Sequence, residues 1–140
     1  MTLDVGCGLR KLGRINVDVN REVEPNIVCS VNNLPFRDNL FSKVFCYHVL
    51  EHRGVKPPIA INELLRVSKN LVEIQIPHWL GPTAKARNKD HVNFEIMHRS
   101  FWNRFKPIFV VTDFVYLWFF PFLVRPNNLT ITLKKALSWK

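Results

Sequence analysis

The feature that most constrains this chain is an apolar run leading directly into a glycine-rich turn, Leu3-Asp4-Val5-Gly6-Cys7-Gly8. Two glycines let the backbone bend sharply and approach a ligand closely. Asp18 follows ten residues after Gly8, in a second run that alternates as a strand does, Ile15 to Val19. An acidic side chain at that point can accept hydrogen bonds from both hydroxyls of a ribose. The pattern predicts a nucleoside site beyond the carboxyl ends of these strands.

Further strands and helices alternate along the rest of the chain. A helix is expected from about Pro57 to Lys69, closed by Asn70, and a second, short helix from His98 to Lys106. The other predicted strands are Ile27 to Cys29, Lys43 to Tyr47, Leu71 to Pro77, Phe109 to Trp118 and Leu129 to Leu133. Strands joined by crossovers predict a mainly parallel α/β sheet, and the last two strands could form an antiparallel hairpin at its edge. The length of 140 residues suits a single domain, 1–140.

The charge of the chain is strongly positive, with a formal net charge of +9. The last seventy residues carry ten Lys and Arg against four Asp and Glu, whereas the first seventy carry ten against seven. This favours an anionic partner such as nucleic acid, a lipid headgroup or a phosphorylated substrate. The alternative is that the excess serves solubility alone.

Composition also bears on location. No stretch reaches eighteen consecutive apolar residues, so we expect no transmembrane segment. The amino terminus lacks a basic segment followed by an apolar one, so we expect no signal peptide. Cys7, Cys29 and Cys46 are odd in number and unpatterned, and we interpret them as reduced thiols of a cytoplasmic protein.

Four blocks of sequence, in this order, resemble the class I S-adenosylmethionine-dependent methyltransferases. They are LDVGCG (Leu3 to Gly8), INVDVN (Ile15 to Asn20), LPFRDNLFSKVFCYHVLEH (Leu34 to His52) and INELLRVSKNLVEIQIP (Ile61 to Pro77). The resemblance implies a Rossmann-like sheet of seven strands in the order 3-2-1-4-5-7-6, with the seventh antiparallel. It implies S-adenosylmethionine as cofactor and methyl transfer to an acceptor that the sequence does not identify.

The resemblance also implies site residues at the methionine and sulfonium parts of the cofactor. Asp4, Gly6, Cys7 and Gly8 would line the methionine part. Tyr47 and His48, which follow the fourth strand, would lie near the sulfonium end.

At the nucleoside part, the resemblance implies that Asp18 holds the ribose and that Val19 packs on the adenine. The family often has an acidic residue that contacts the adenine amino group, and Ser30, followed by Val31, occupies that place here. A serine can still form a hydrogen bond there, but without charge assistance, so we expect weaker recognition of the adenine.

A second departure from the family is the shortness of its first connections. Leu9 to Arg14 and Asn20 to Asn26 are too short for the helices that the family places there, and the chain begins at its first strand. We therefore expect a minimal version of the fold without its N-terminal helices, with apolar strand residues uncovered on that face. Large exposed apolar patches usually mark interfaces. We therefore predict a homo-oligomer, simplest as a homodimer, or coverage by the aromatic C-terminal segment.

The histidines allow more than one interpretation. His48-Val49-Leu50-Glu51-His52 matches H-x-x-E-H, a pattern of zinc proteases. The same pattern recurs after the fourth strand in the resembling family with no metal, so we predict no metal here. His78 directly follows the fifth strand and is our candidate for a general base, although a structural role is the alternative.

Two alternatives to a methyltransferase with an unidentified acceptor remain open. Basic residues near the 79–93 loop, interleaved with aromatic ones, could hold phosphates and stack on bases, which would make this a nucleic-acid-directed methyltransferase. Ser30 and the missing helices are also consistent with a non-catalytic cofactor-binding or interaction module.

Overall fold

The computed structural model describes residues 1–78, 89–105, 109–113, 118–119, 122–123 and 128–134. The predicted basic loop therefore falls mostly outside the described residues, which resume at Lys89. The aromatic segment Phe114 to Val124 is likewise described only in part.

Within the described residues, one seven-stranded sheet forms the centre of the fold. Its strands are β1 (Thr2–Val5), β2 (Ile15–Asp18), β3 (Ile27–Val28), β4 (Phe41–Tyr47), β5 (Ser68–Pro77), β6 (Phe109–Asp113) and β9 (Asn128–Lys134). Two further strands, β7 (Trp118–Phe119) and β8 (Phe122–Leu123), pair with each other in a separate antiparallel ribbon.

The order of the strands across the sheet is β3-β2-β1-β4-β5-β9-β6. The pairs among β1 to β5 are parallel, and β9 is antiparallel to both β5 and β6. Along the chain, β9 is the seventh strand of this sheet, and across the sheet it lies between β5 and β6. The order therefore matches the 3-2-1-4-5-7-6 arrangement. The prediction of a mainly parallel sheet with an antiparallel edge hairpin is confirmed.

The main helix, α1 (Pro57–Val67), begins with proline at its first position, where a backbone N–H would have no partner. It ends two residues earlier than predicted, because Ser68 is extended and starts β5 without a loop. Asn70 therefore lies in β5, and the prediction that it closes the helix is wrong. A short helix, α2 (Arg99–Trp102), follows later. Helices long and apolar enough to cross a membrane are absent from the described part of the chain.

The hydrophobic core lies on one face of the sheet, against α1. Alternate strand positions supply it, and the buried face of α1 completes it: Leu3, Val5, Val17, Val44, Cys46, Val72, Ile74, Ile76, Ile131 and Leu133 from the sheet, with Ala60, Ile61, Leu64 and Leu65 from the helix. Each fully buried aliphatic side chain contributes about 1.5–3 kcal/mol. The core thus fixes the register that brings the strand ends together.

The opposite face of the sheet is more polar than the sequence led us to expect. The predicted absence of helices is confirmed for 9–14 and 20–26, which contain only a 3-10 turn, Arg21–Val23. The strand positions on this face nevertheless carry mostly polar groups: Thr2, Asp4, Asn16, Lys43, Glu73, Gln75, Thr130 and Thr132, beside Phe45, Tyr47 and Leu71. The expectation that mostly apolar strand residues would be uncovered on this face is therefore wrong.

Contacts between these polar groups show how this face is stabilised. Lys43 Nζ lies 2.7 Å from Glu73 Oε2 and 4.4 Å from the centre of the Phe45 ring. The Tyr47 hydroxyl donates to the same glutamate. Four of the exposed apolar side chains lie around β2 and β3 and in the first connection, at Leu9, Val19, Ile27 and Val28.

Candidate functional site

A pocket of about 690 Å³ opens at the carboxyl ends of β1, β2 and β4. This volume is within the range of about 300–1,000 Å³ that is typical of small-molecule sites. Its walls come from the turn after β1, the end of β2, the segment 29–31 after β3, the turn 48–55 after β4, and Asp90. The pocket is where ligands of parallel α/β sheets bind.

The turn after β1 requires glycine at position 6. Gly6 has a φ of +70°, and a Cβ built there would lie 2.1 Å from Val49 Cγ2. The Gly6 and Cys7 N–H groups both donate to the Val17 carbonyl, at 2.8 and 3.1 Å. Gly8 has a φ of +51°, and no heavy atom lies within 4 Å of its added Cβ. The backbone at Gly6 is thus packed tightly, whereas Gly8 borders open space.

Asp18 closes the second side of the pocket. Its Oδ2 accepts a hydrogen bond of 2.9 Å from the Gly8 N–H, and its Oδ1 accepts one of 2.9 Å from the Asn20 N–H. Each carboxylate oxygen has two lone pairs, so both retain acceptor capacity. Because Asp18 also lines the pocket, that capacity is available to the hydroxyl groups of a ligand.

The side chains of Asp4, near the end of β1, and Cys7, within the turn, are buried, and neither residue lines the pocket. Asp4 Oδ2 accepts a 2.8 Å hydrogen bond from the Leu12 N–H and so fixes the first connection. Burial raises the pKa of Asp4 against the opposing effect of this hydrogen bond, and the charge of Asp18 raises it further. Burial also raises the pKa of the Cys7 thiol. Both side chains are thus placed to support the turn after β1 and not to contact a ligand in the pocket.

The predicted adenine end contains Ser30 and Val31, which both line the pocket. Ser30 Oγ accepts a 3.2 Å hydrogen bond from the Asn32 N–H. Asn32 in turn donates to the Gly54 carbonyl at 2.8 Å and accepts from the Lys56 N–H at 3.0 Å. Asn32 therefore holds the turn after β4 against the segment after β3. Val19, predicted to pack on the adenine, is exposed and lines the pocket.

The structure separates the two residues predicted at the sulfonium end. His48 has a φ of +57°, donates its N–H to the Gln75 carbonyl at 2.8 Å, and lines the pocket. Tyr47 points to the polar face of the sheet, where burial and its hydrogen bond to Glu73 raise its pKa. Tyr47 is not a lining residue.

His78 directly follows β5, at the same end of the sheet, but is buried and does not line the pocket. Burial lowers its pKa. A lowered pKa favours the neutral imidazole, which is the form that can accept a proton.

Sequence reasoning missed one whole wall of the pocket, formed by Val49, His52, Arg53, Gly54, Val55 and Asp90. The Arg53 N–H donates to the Asp90 carbonyl at 2.7 Å, so this wall joins two distant parts of the chain. Within this wall, Gly54 is the residue that could have indicated a tight turn from the sequence, and its φ is +86°. Contact with Asp90 had no signal in the sequence.

Comparison with known proteins gives two kinds of match. The profile of the methyltransferase domain family matches residues 3–71. An uncharacterized protein of Methanocaldococcus jannaschii is 33% identical over 84 residues, which cover 50% of this chain and 36% of that protein. The chain thus spans about a third of the length of the curated relative that it matches.

Solved structures share the fold at low sequence identity. A SAM-dependent methyltransferase from Thermotoga maritima, described as a possible histamine N-methyltransferase, has a TM-score of 0.64 at 14% identity, covering 96% of this chain and 82% of its own. Magnesium protoporphyrin IX methyltransferase from Synechocystis PCC 6803, solved with bound SAM, has a TM-score of 0.56 at 14% identity, covering 97% and 70%. The similarity extends over nearly all of the chain.

Proposed function

We propose that this chain is a class I S-adenosylmethionine-dependent methyltransferase, which binds S-adenosylmethionine in the described pocket and transfers the methyl group to an acceptor; the methyltransferase-domain match over residues 3–71 and the shared fold support this. The observation that carries the proposal is the Asp18 carboxylate, which is held by the Gly8 N–H and exposed to the pocket. An anionic acceptor of hydrogen bonds beside a glycine turn fits the ribose of a nucleoside cofactor.

The residues present fit the rest of the cofactor as well. Gly8 borders open space, so the backbone allows a ligand to approach closely. Ser30 and Val31 offer a hydroxyl and an apolar contact at the predicted adenine end. Gly6 and His48 lie at the end of the pocket where the turns after β1 and β4 meet, and we assign the methionine and sulfonium parts to that end.

The chemistry that the cofactor supplies is an electrophilic methyl group on a sulfonium. The protein's part is to hold the acceptor in line with that group and to exclude water, which converts a bimolecular reaction into an oriented one. Asp18 and the glycine turn would fix the position of the nucleoside. His78 is our candidate for the base that removes the acceptor's proton because it follows β5 at this end of the sheet; it does not line the pocket, and this role stays a prediction.

The acceptor is proposed only as a class. The net charge of +9 favours an anionic molecule, among which nucleic acid is one candidate. Transfer of a labelled methyl group into separate RNA, lipid and glycan extracts would identify the class. Cofactor binding without transfer into any acceptor would favour the alternative of a non-catalytic binding module.

The direct test of the proposed pocket is the Asp18→Ala variant. Two hydrogen bonds from ribose hydroxyls to a charged acceptor are worth about 1.5–3 kcal/mol each. We therefore expect the affinity for S-adenosylmethionine, measured by calorimetry, to fall by at least about 100-fold.

The matched control for this test is Glu22→Ala, which removes an exposed carboxylate four residues away, outside the pocket. It should leave the affinity unchanged. Equal affinities for the two variants, both folded by circular dichroism, would show that Asp18 does not hold the ribose.

A further inference from the structure

Glu51 is a buried carboxylate without a hydrogen-bonding partner among the described residues. Its side chain is fully buried, and neither Oε1 nor Oε2 accepts a hydrogen bond. The Nδ1 atom of His48 lies 3.4 Å from Oε1. Charged carboxylates are rarely buried unless they accept hydrogen bonds, are paired with a cation or coordinate a metal. Glu51 is therefore placed as a ligand would be.

Two histidines complete a cluster around this carboxylate. His91 Nδ1 is also buried without a hydrogen bond from the described residues. The rings of His91 and His52 meet edge to face, with their centres 4.8 Å apart. One ligand atom from each of Glu51, His52 and His91 can be chosen so that all three lie within 4.8 Å of one another.

We propose that Glu51, His52 and His91 bind a zinc ion. A carboxylate with two imidazoles is a donor set that zinc prefers, whereas Mg²⁺ and Ca²⁺ prefer oxygen ligands alone. Two atoms bound to a tetrahedral zinc ion at about 2.1 Å lie about 3.4 Å apart, so ligand atoms 4.8 Å apart need to approach one another by about 1.4 Å. Three protein ligands leave the fourth position to water.

The backbone holds this cluster in place independently of any ion. The Val92 and Asn93 N–H groups both donate to the Glu51 carbonyl, at 2.8 and 3.2 Å. The Asn93 side chain donates to three more carbonyls, those of Leu50, His52 and Val55. These bonds fix the segment that carries His91 against the turn that carries Glu51 and His52. Ligands positioned in advance bind a metal more tightly, because less ordering accompanies binding.

The proposal differs from the zinc-protease pattern considered in the sequence, which would use His48 and His52. It replaces our prediction of no metal because His91, forty residues after Glu51, enters the cluster only through the fold. His52 also lines the pocket, so the ion would brace the wall formed by the turn after β4. Zinc binding does not depend on the proposed methyl transfer and can be measured without cofactor.

The test is zinc binding by the whole chain, stripped with a chelator and reloaded with zinc alone. We expect one zinc ion per chain by elemental analysis, and a cobalt-loaded form with visible absorption from coordinated Co²⁺. Zinc should also raise the midpoint of thermal unfolding, since it binds only the folded chain.

Two variants test the ligands, and a third is the control. Glu51→Gln and His91→Gln should each lower zinc affinity by more than about tenfold, since even groups that only support ligands have effects of about 10–100-fold. His98→Gln, at an exposed histidine outside the cluster, is the matched control and should bind zinc normally. Should Glu51→Gln fail to fold, His91→Gln and the cobalt spectrum of the unchanged chain decide the question.

Two results would overturn the proposal. One is the absence of stoichiometric zinc binding by the unchanged chain. The other is zinc that His91→Gln retains and His48→Gln loses, because that outcome would assign the ion to the H-x-x-E-H pattern instead.

Discussion

At the scale of single residues, the contact between Gly6 and Val49 joins the turns after β1 and β4. An added Cβ at Gly6 would lie 2.1 Å from Val49 Cγ2, at a φ of +70°. We expect Gly6→Ala to destabilise the fold by about 2–4 kcal/mol, combining overpacking with the cost of left-handed backbone for alanine. Urea denaturation would measure this change.

Two further variants separate the causes. Gly8→Ala has a similar φ of +51° but open space around its Cβ, so it should lose only the backbone part, about 1–2 kcal/mol. Val49→Ala removes the clashing methyl group, and the double variant Gly6→Ala/Val49→Ala should recover part of the loss. If Gly6→Ala and Gly8→Ala have equal effects, the contact with Val49 is not the reason for glycine at position 6.

At the scale of elements, Arg66 connects the end of α1 to the segment before β4. Its guanidinium donates to the Leu34 and Phe36 carbonyls at 2.9 and 2.7 Å, and to both oxygens of Glu63. A lysine keeps the charge but cannot donate in all these directions at once. We expect Arg66→Lys to lower the free energy of unfolding by about 1–3 kcal/mol.

The control is Arg37→Lys, at an exposed arginine in the same segment, which should stay within about 0.5 kcal/mol of the unchanged chain.

The same network makes a prediction about pH. The hydrogen bond from Arg66 lowers the pKa of Glu63. Ionised Glu63 therefore stabilises the folded chain at a pH above the ordinary glutamate pKa. This stabilisation is lost as the pH falls through the lowered pKa of Glu63. Arg66→Lys should weaken this dependence on pH, and a flat difference between the two proteins would contradict it.

The elements themselves could largely be predicted from the sequence. β1, β2 and β4 are short apolar runs with clear boundaries at glycine, aspartate and histidine, and their observed ends lie within about two residues of the predicted ones. The end of α1 was less predictable, because Ser68 passes directly from helix to strand with no glycine or proline to mark the change. The strand order followed from the resemblance, not from residue patterns.

The site was predictable only where its residues are close in sequence. Gly6, Gly8 and Asp18 belong to one local pattern, and the structure places all three around the pocket. The wall that includes His52 and Asp90, and the cluster of Glu51 with His91, depend on contacts between segments about forty residues apart. No periodicity in the sequence records such contacts. Alternate positions of the strands carry polar residues, so the polar character of the uncovered face could have been predicted from the sequence. We expected apolar residues there because the resembling family covers this face with helices.

At the scale of the whole molecule, the prediction of a homo-oligomer now depends on the edge of the sheet at β3. Ile27 and Val28 are both exposed there, and β3 has no strand on its outer side among the described residues. We expect sedimentation velocity to show a dimer, and Val28→Lys to shift it to the monomer, because a charge on an edge strand opposes association.

The control for this experiment is Ile59→Lys, at an exposed apolar residue of α1, the helix that connects β4 to β5. It should leave the dimer intact. A monomer in the unchanged chain at micromolar concentration would refute the prediction. A cytoplasmic location also stays a prediction, with which the free thiols of Cys7, Cys29 and Cys46 are consistent.

The position of β9 has a consequence for biosynthesis. β9 occupies the place between β5 and β6, although it is the last of these strands to be translated. A nascent chain that ends before residue 128 therefore exposes one unpaired side of β5, and β6 has no neighbour to join. Until ribosomes have extruded residues 128–134, this open flank is a place where chaperones can bind and where neighbouring nascent chains can aggregate.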